Sequence, residues 1–249
     1  IASDLLALAA WTGPHGLTVV ILAVAGGLAW FAARRSWIGA AALSVGFGMA
    51  GILPGTPVAP VASSDAPVVR LIQPNAPQDQ KWLPEMIPVF FQRGLTLTAA
   101  APEGPAPDLV IWPETSLPVL LDRSETARAR LAQAAGAPLI IGAQRFDGTR
   151  AANTLVLLDA DGAIDSVYDK HHLVPFGEYL PFDDLMSRIG LRGLAALPVG
   201  YRAGPGPAVL DLGARLGRSF AMICYEAIFP GYIRQVDRPD WMVHITNDA

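Results

Sequence analysis

The chain holds one cysteine, Cys224, and it closes an apolar run (SFAMIC) that reads as a strand. A thiol is a weak nucleophile until it ionises, so it needs a base or a cation beside it. Two other segments place a reactive side chain at the same kind of position. The run from Asp108 to Glu114 (DLVIWPE) is stopped by Pro113, which leaves Glu114 on the exit loop. The run from Tyr168 to Glu178 (YDKHHLVPFGE) carries Lys170 just beyond a further run, Ile164–Tyr168, that reads as a strand. Loops at strand ends are where rigid scaffolds display reactive groups. A carboxylate against an apolar wall can act as a base, and a lysine beside a forming oxyanion stabilises it. Glu, Lys and Cys are therefore a sufficient set for acyl transfer through a thioester.

Each of the three also has a plainer reading. A lone cysteine in an apolar run is commonly a small buried hydrophobe. Glu114 taken alone reads as a loop carboxylate capping a helix, and Lys170 as a solvated surface charge. His171, His172 and His244 lack a carboxylate or cysteine at ligand spacing, so no metal and no cofactor is expected. One cysteine also excludes an internal disulfide.

The elements that must position these residues alternate along the second half of the chain. Strands are expected over residues 68–73, 108–112, 139–144, 154–158, 164–168, 208–212, 219–224 and 241–246. Helices are expected over 84–101, with Pro84 and Pro88 near its start, and over 124–135, closed by Gly136. Asp159 and Gly162 suit a tight turn between two strands. Mixed elements in this order favour a layered α/β or α+β domain. Residues 182–207, between the lysine and cysteine segments, are long, apolar and glycine-rich, and are expected to form a lid over the site.

The first half differs in character. The whole chain is 52% hydrophobic with a mean hydropathy of +0.36. Its formal charge of -4 and lack of a basic stripe argue against a nucleic-acid partner. Residues 17–33 and 37–53 are uncharged runs close to the length of a membrane span, which takes about 20 residues. Arg34 and Arg35 lie between them. Short loops rich in arginine stay in the cytoplasm, so everything after about Pro54 is expected on the far side of the membrane. Residues 54–67, rich in Pro, Ala, Ser and Gly, read as a linker. The division expected is membrane helices over 1–56, a linker over 57–67 and a catalytic domain over 68–249. The chain begins at Ile1 and stops just after a strand, so it reads as a piece of a longer protein.

The segments Ile111–Thr115 (IWPET), Lys170–Glu178 (KHHLVPFGE) and Ile223–Glu226 (ICYE) resemble, in order, the three catalytic blocks of the carbon–nitrogen hydrolase (nitrilase) superfamily. Within it the resemblance is greatest to the apolipoprotein N-acyltransferase family. Gln73, Pro74 and Asn75, then Lys81 and Trp82, and the terminal Thr246 to Ala249 add to it. The resemblance implies transmembrane helices followed by a nitrilase-like αββα sandwich. It implies Glu114 as general base, Cys224 as nucleophile, and Lys170 with the Tyr225 N–H as oxyanion donors. Glu178 and Glu226 would position or polarise the site, and Trp82 would contact the lipid substrate. The partners implied are a phospholipid acyl donor, a diacylated apolipoprotein acceptor and the membrane. The location implied is the bacterial inner membrane, with the catalytic domain periplasmic. Two alternatives stay open from the residues alone: a membrane-tethered amidase of the same superfamily, and a non-catalytic relative that binds lipid or protein.

Overall fold

The computed structural model describes residues 7–50, 65–77, 79–146, 148, 150–179, 181 and 200–247. They fall into two units, Ile1–Ser64 and Asp65–Ala249. In the first, α1 (Ala7–Ala33) and α2 (Trp37–Ala50) form a hairpin turned at Arg34 and Arg35. The helix α1 is broken at Gly13, whose φ of 66° is not helical, and Pro14 suits the first turn of the renewed helix. Small residues let the two helices meet closely. A β-carbon on Gly39 would fall 2.4 Å from the Phe31 ring, and one on Gly27 would fall 2.8 Å from Leu43. The outer surface is apolar and open, with Leu22, Trp37 and Ile38 all exposed. Among the described residues, the stretch His15–Ala33 is the one helix long and apolar enough to cross a membrane. The second expected span is helical to Ala50, with an apolar core of Trp37–Phe47, and its residues 51–53 lie outside the described residues.

The second unit is built on two sheets. Strands β1 (Val69–Leu71), β2 (Leu109–Ile111), β3 (Leu139–Phe146), β4 (Ala151–Leu158) and β5 (Ile164–Asp169) form one sheet in sequence order. The pairs β1–β2 and β2–β3 are parallel, and β3–β4 and β4–β5 are antiparallel. Strands β6 (Val209–Asp211), β7 (Arg218–Ile223) and β8 (Trp241–Ile245) form the other. All eight expected strands form within three residues of their expected limits. The Asp159 turn closes as its residues suggest: Asp159 Oδ1 accepts from Asp161 N and Ala163 N, and Gly162 takes φ 84°.

Helices α3 (Ile87–Ala99) and α4 (Glu125–Ala135) cover one face of the larger sheet. The sequence places the start of α3 too early. Residues 83–86 form a turn, because Pro84 drives the residue before it out of the helical region, and the helix begins with Pro88 in its first turn. Trp112 fixes α3 to the sheet. It is 1% exposed, lies 5.7 Å from the Phe91 ring, and donates its indole N–H to Thr98 Oγ1 at 3.0 Å. Truncating a buried tryptophan of this kind costs about 3–5 kcal/mol. The opposite face of that sheet buries Leu109, Ile111, Ile140 and Leu155 against Ala221, Ile223, Val243 and Ile245 of the smaller sheet. The described residues therefore stack as helices, sheet and sheet. The outward residues of β8, Met242 and His244, are exposed, so three layers of the expected four are present among the described residues. Most of the expected lid, residues 182–199, lies outside them.

Candidate active site

Strands β2 and β5 run in the same direction, so their carboxyl ends share one edge of the larger sheet. Glu114 follows the first and Lys170 the second. Between them β4 runs the opposite way, which brings its early residue Asn153 to that edge. Cys224 leaves the end of β7 in the smaller sheet. Glu114, Lys170 and Cys224 thus come from three separate strand ends and gather in one place.

A glycine makes the Glu114 loop possible. A β-carbon on Gly142 of β3 would lie 2.4 Å from Thr115 N and 2.5 Å from Glu114 Cα. The loop instead rests directly on the strand, with Ser116 N and Leu117 N donating to Gly142 O at 2.9 and 3.0 Å. Thr115 takes φ 49° to complete the bend. Cys224 is at φ 50°, a left-handed conformation that is costly for a residue with a β-carbon. Such strain costs about 1–3 kcal/mol and persists only where the surroundings hold it. Here the chain turns at once from β7 into a 3-10 helix, Cys224–Ile228.

Lys170 is 1% exposed, against its plainer reading as a surface charge. A buried ammonium needs anionic partners. Its Nζ lies 2.9 Å from Glu178 Oε1 and 3.8 Å from Glu114 Oε1. Asn153 Nδ2 bridges the same two carboxylates, donating at 2.7 Å to Glu114 Oε1 and 3.2 Å to Glu178 Oε1. Glu178 Oε2 accepts from Val174 N at 2.8 Å, which fixes the loop that follows Lys170. Burial pushes the Cys224 thiol above its ordinary range, and the charge of Glu114 pushes it further. Lys170, a side-chain hydrogen bond from Thr246 and the Tyr225 N–H pull the other way. The balance favours the protonated thiol, beside a carboxylate that can take the proton.

Glu226 lies beneath this centre, 1% exposed. Its Oε1 accepts from Tyr168 Oη, His171 N and His172 N at 2.8, 2.8 and 3.1 Å, and its Oε2 from Ile223 N at 2.8 Å. One carboxyl thus ties the loop after Lys170 to the strand that ends at Cys224. Burial and then the charge of Glu226 drive the Tyr168 phenol upward, so it stays a donor. The two histidines are taken up in packing: His171 meets the Tyr232 ring at 4.4 Å, and His172 stacks on Phe229 at 3.9 Å.

Trp82 is half exposed and lines a pocket with Lys81, Phe90, Trp112, Glu114 and Asn247. Asn247 Nδ2 donates to Ala76 O at 3.4 Å, so the two outlying stretches of the resemblance meet there. At the other side, the described end of the expected lid is pinned. Gly204 N donates to Lys170 O at 2.9 Å and Tyr201 N to Glu178 O at 2.7 Å. The Tyr201 phenol hydrogen-bonds the Gln144 amide and is pushed up to about 12 by burial, then by Glu178 and Glu114. Sequence reasoning gave no role to Asn153 or Tyr201. Asn153 stands just before the strand expected over 154–158, and nothing in the sequence puts it at the reactive edge until β4 is set between β3 and β5. Tyr201 sits in an irregular segment with no periodicity to place it.

The sequence model of the family described as carbon-nitrogen hydrolase matches residues 69–249. A curated apolipoprotein N-acyltransferase of Sinorhizobium fredii is 42% identical over 73% of this chain and 36% of its own length. Another, of Caulobacter vibrioides, is 34% identical over 97% of this chain and 48% of its own. The chain thus spans at most about half the length of these curated relatives. A crystal structure of a carbon-nitrogen hydrolase from Helicobacter pylori superposes with a TM-score of 0.47 at 16% identity, over 72% of this chain and 59% of that one.

Proposed function

We propose that this chain, which belongs to the carbon–nitrogen hydrolase family, carries the catalytic centre of an apolipoprotein N-acyltransferase. It takes an acyl chain from a phospholipid onto Cys224 and passes it to the N-terminal amine of a diacylglyceryl-cysteine. The observation that carries this reading is the gathering of Glu114, Lys170 and Cys224 at one sheet edge. The matched relatives, which are named for that activity, supply the substrate class.

In the mechanism, Glu114 takes the Cys224 proton as the sulfur attacks the ester carbonyl. Lys170 and the Tyr225 N–H hold the oxyanion. The lysophospholipid leaves with the proton returned by Glu114, and a thioester remains on Cys224. The acceptor amine then attacks, loses a proton to Glu114 and becomes an amide, which frees the thiol. Glu178 and Asn153 keep Lys170 and Glu114 apart but aligned, Glu226 locks the Cys224 turn, and Trp82 meets lipid at the pocket. Residues 1–56 serve as membrane helices and 57–67 as a linker to the catalytic domain of 68–249, completed as an αββα sandwich. That domain works on the periplasmic side of the bacterial inner membrane. The exposed apolar surface of Leu22, Trp37 and Ile38 supports the anchor, since lipid is what such a surface needs.

The test uses the full-length protein in detergent with a phospholipid labelled on one acyl chain. Label on the Cys224 peptide, discharged by a diacylated lipopeptide with a free amine, supports the transferase. Discharge by water at the same rate would replace it with a membrane-tethered amidase.

A further inference from the structure

Of the eighteen basic residues in the chain, only Lys81 and Lys170 are lysines. Both are brought against Glu114. Lys170 approaches its carboxylate at 3.8 Å, and Lys81 Nζ donates to its backbone carbonyl at 3.4 Å. Lysine and arginine are not equivalent in such a place. The ammonium is a compact point charge that loses its proton readily when buried, whereas guanidinium stays charged and forked. A chain that uses arginine everywhere else keeps lysine at the two positions that flank its base.

The charges around the thiol explain why a second cation is needed. Glu114 and Glu178 share Asn153 and Lys170, so two carboxylates face one ammonium. Moving the Cys224 proton to Glu114 leaves that excess in place, now partly on sulfur. Lys81 brings the group to neutrality before and after the transfer. It lines one pocket with Glu114, walled by the rings of Trp82, Phe90 and Trp112. From other elements, Glu114 and Cys224 face it; on its own segment Asp79 and Glu85 are exposed. Burial lowers its affinity for a proton, against the pull of Glu114 and then of Cys224.

We propose that Lys81 is a positioning residue and the second cation of the site, holding the Glu114 loop and offsetting the charge of the Cys224 thiolate. This deepens the reading of Cys224 as nucleophile and does not depend on which acyl group or acceptor is used.

The experiment follows alkylation of the Cys224 peptide by iodoacetamide, a small neutral probe, in the full-length protein from neutral to alkaline pH. Lys81→Met is expected to move the midpoint upward by about one unit and to slow alkylation at neutral pH about tenfold. Lys81→Arg keeps the charge but not the compact ammonium, so the midpoint should return toward the parent value while alkylation stays slower than the parent's. Should Lys81→Met unfold by circular dichroism, Lys81→Gln keeps a donor for the Glu114 carbonyl without the charge and should show the same shift. An unchanged pH profile in a folded neutral variant overturns the proposal. So does an unchanged profile with a raised KM for phospholipid, which would make Lys81 a headgroup contact. The probe needs no lipid, so failure here is separate from failure of the transferase reading.

Discussion

Glu178 lies closer to Lys170 than Glu114, the proposed base, does, 2.9 against 3.8 Å. The arrangement keeps the ammonium from closing on Glu114 and quenching it. Glu178→Gln removes that competitor while leaving an oxygen for Val174 N. The ammonium then pairs with Glu114 alone. Acylation of Cys224 in a single turnover is expected to fall about 100-fold, in the range seen when one electrostatic partner of a site is lost. Melting should change far less. Acylation at the parent rate would show that Glu178 only braces its loop.

The contact between Gly142 and the Glu114 loop gives a second expectation. A methyl at position 142 would sit 2.4–2.6 Å from Thr115 N, Glu114 Cα and Pro113 O, all of them backbone. The loop must lift, since none of these atoms can rotate away. Gly142→Ala is expected to destabilise by about 1–3 kcal/mol, as overpacking does, and to lose nearly all acylation. Activity close to that of the parent would mean that Glu114 reaches its place without resting on β3.

Much of this was legible in the sequence because the site sits at strand ends. A strand stopped by Pro113, and another ending in the chain's one thiol, announce both the element and the exposed residue beyond it. That β2 and β5 run the same way with β3 and β4 between them was not legible, and with it went Asn153, whose role exists only once β4 runs between them. Lys170 taken alone reads as a surface charge for the same reason, and only the resemblance gave it a catalytic role: its carboxylates are 8 and 56 positions away and meet it only in the fold. The early start assigned to α3 came from reading Pro84 as tolerated, when it terminates the preceding turn.

Glu226 is expected to separate placement from chemistry. Its carboxyl satisfies the N–H groups of His171, His172 and Ile223 together with the Tyr168 hydroxyl. Glu226→Ala takes this acceptor from the N–H groups of His171, His172 and Ile223, while the Tyr168 hydroxyl keeps His171 Nδ1 at 2.7 Å; a buried donor left unpaired costs about 1–3 kcal/mol. The variant should fold poorly or melt well below the parent. Glu226→Gln keeps one acceptor oxygen and should fold with an intermediate loss. Thermal unfolding of both, followed by alkylation of Cys224, checks this; a Glu226→Ala protein as stable as the parent would remove Glu226 from the turn's support.

Asp169 predicts a pH dependence of stability with a definite sign. Burial alone would raise its pKa, but hydrogen bonds from Arg145 and Thr154 and the charges of Arg145 and Arg202 outweigh it, and the carboxyl is held below its ordinary range. The folded state therefore binds this proton less readily than the unfolded chain, where aspartate titrates near about 3.9. The stabilisation is complete above that value and disappears as the pH falls through it toward the lower folded value. Asp169→Asn should lose about 1.5–3 kcal/mol at neutral pH, the worth of charged hydrogen bonds. It should also lose stability less steeply than the parent in acid. The same variant weakens the contact from Arg202 to this carboxyl, two residues before Gly204, whose N–H holds Lys170 O, so acylation should fall with it. Urea unfolding at neutral and acid pH is the measurement, and equal acid sensitivity in parent and variant would mean that other carboxylates, not Asp169, set the acid limit of the fold.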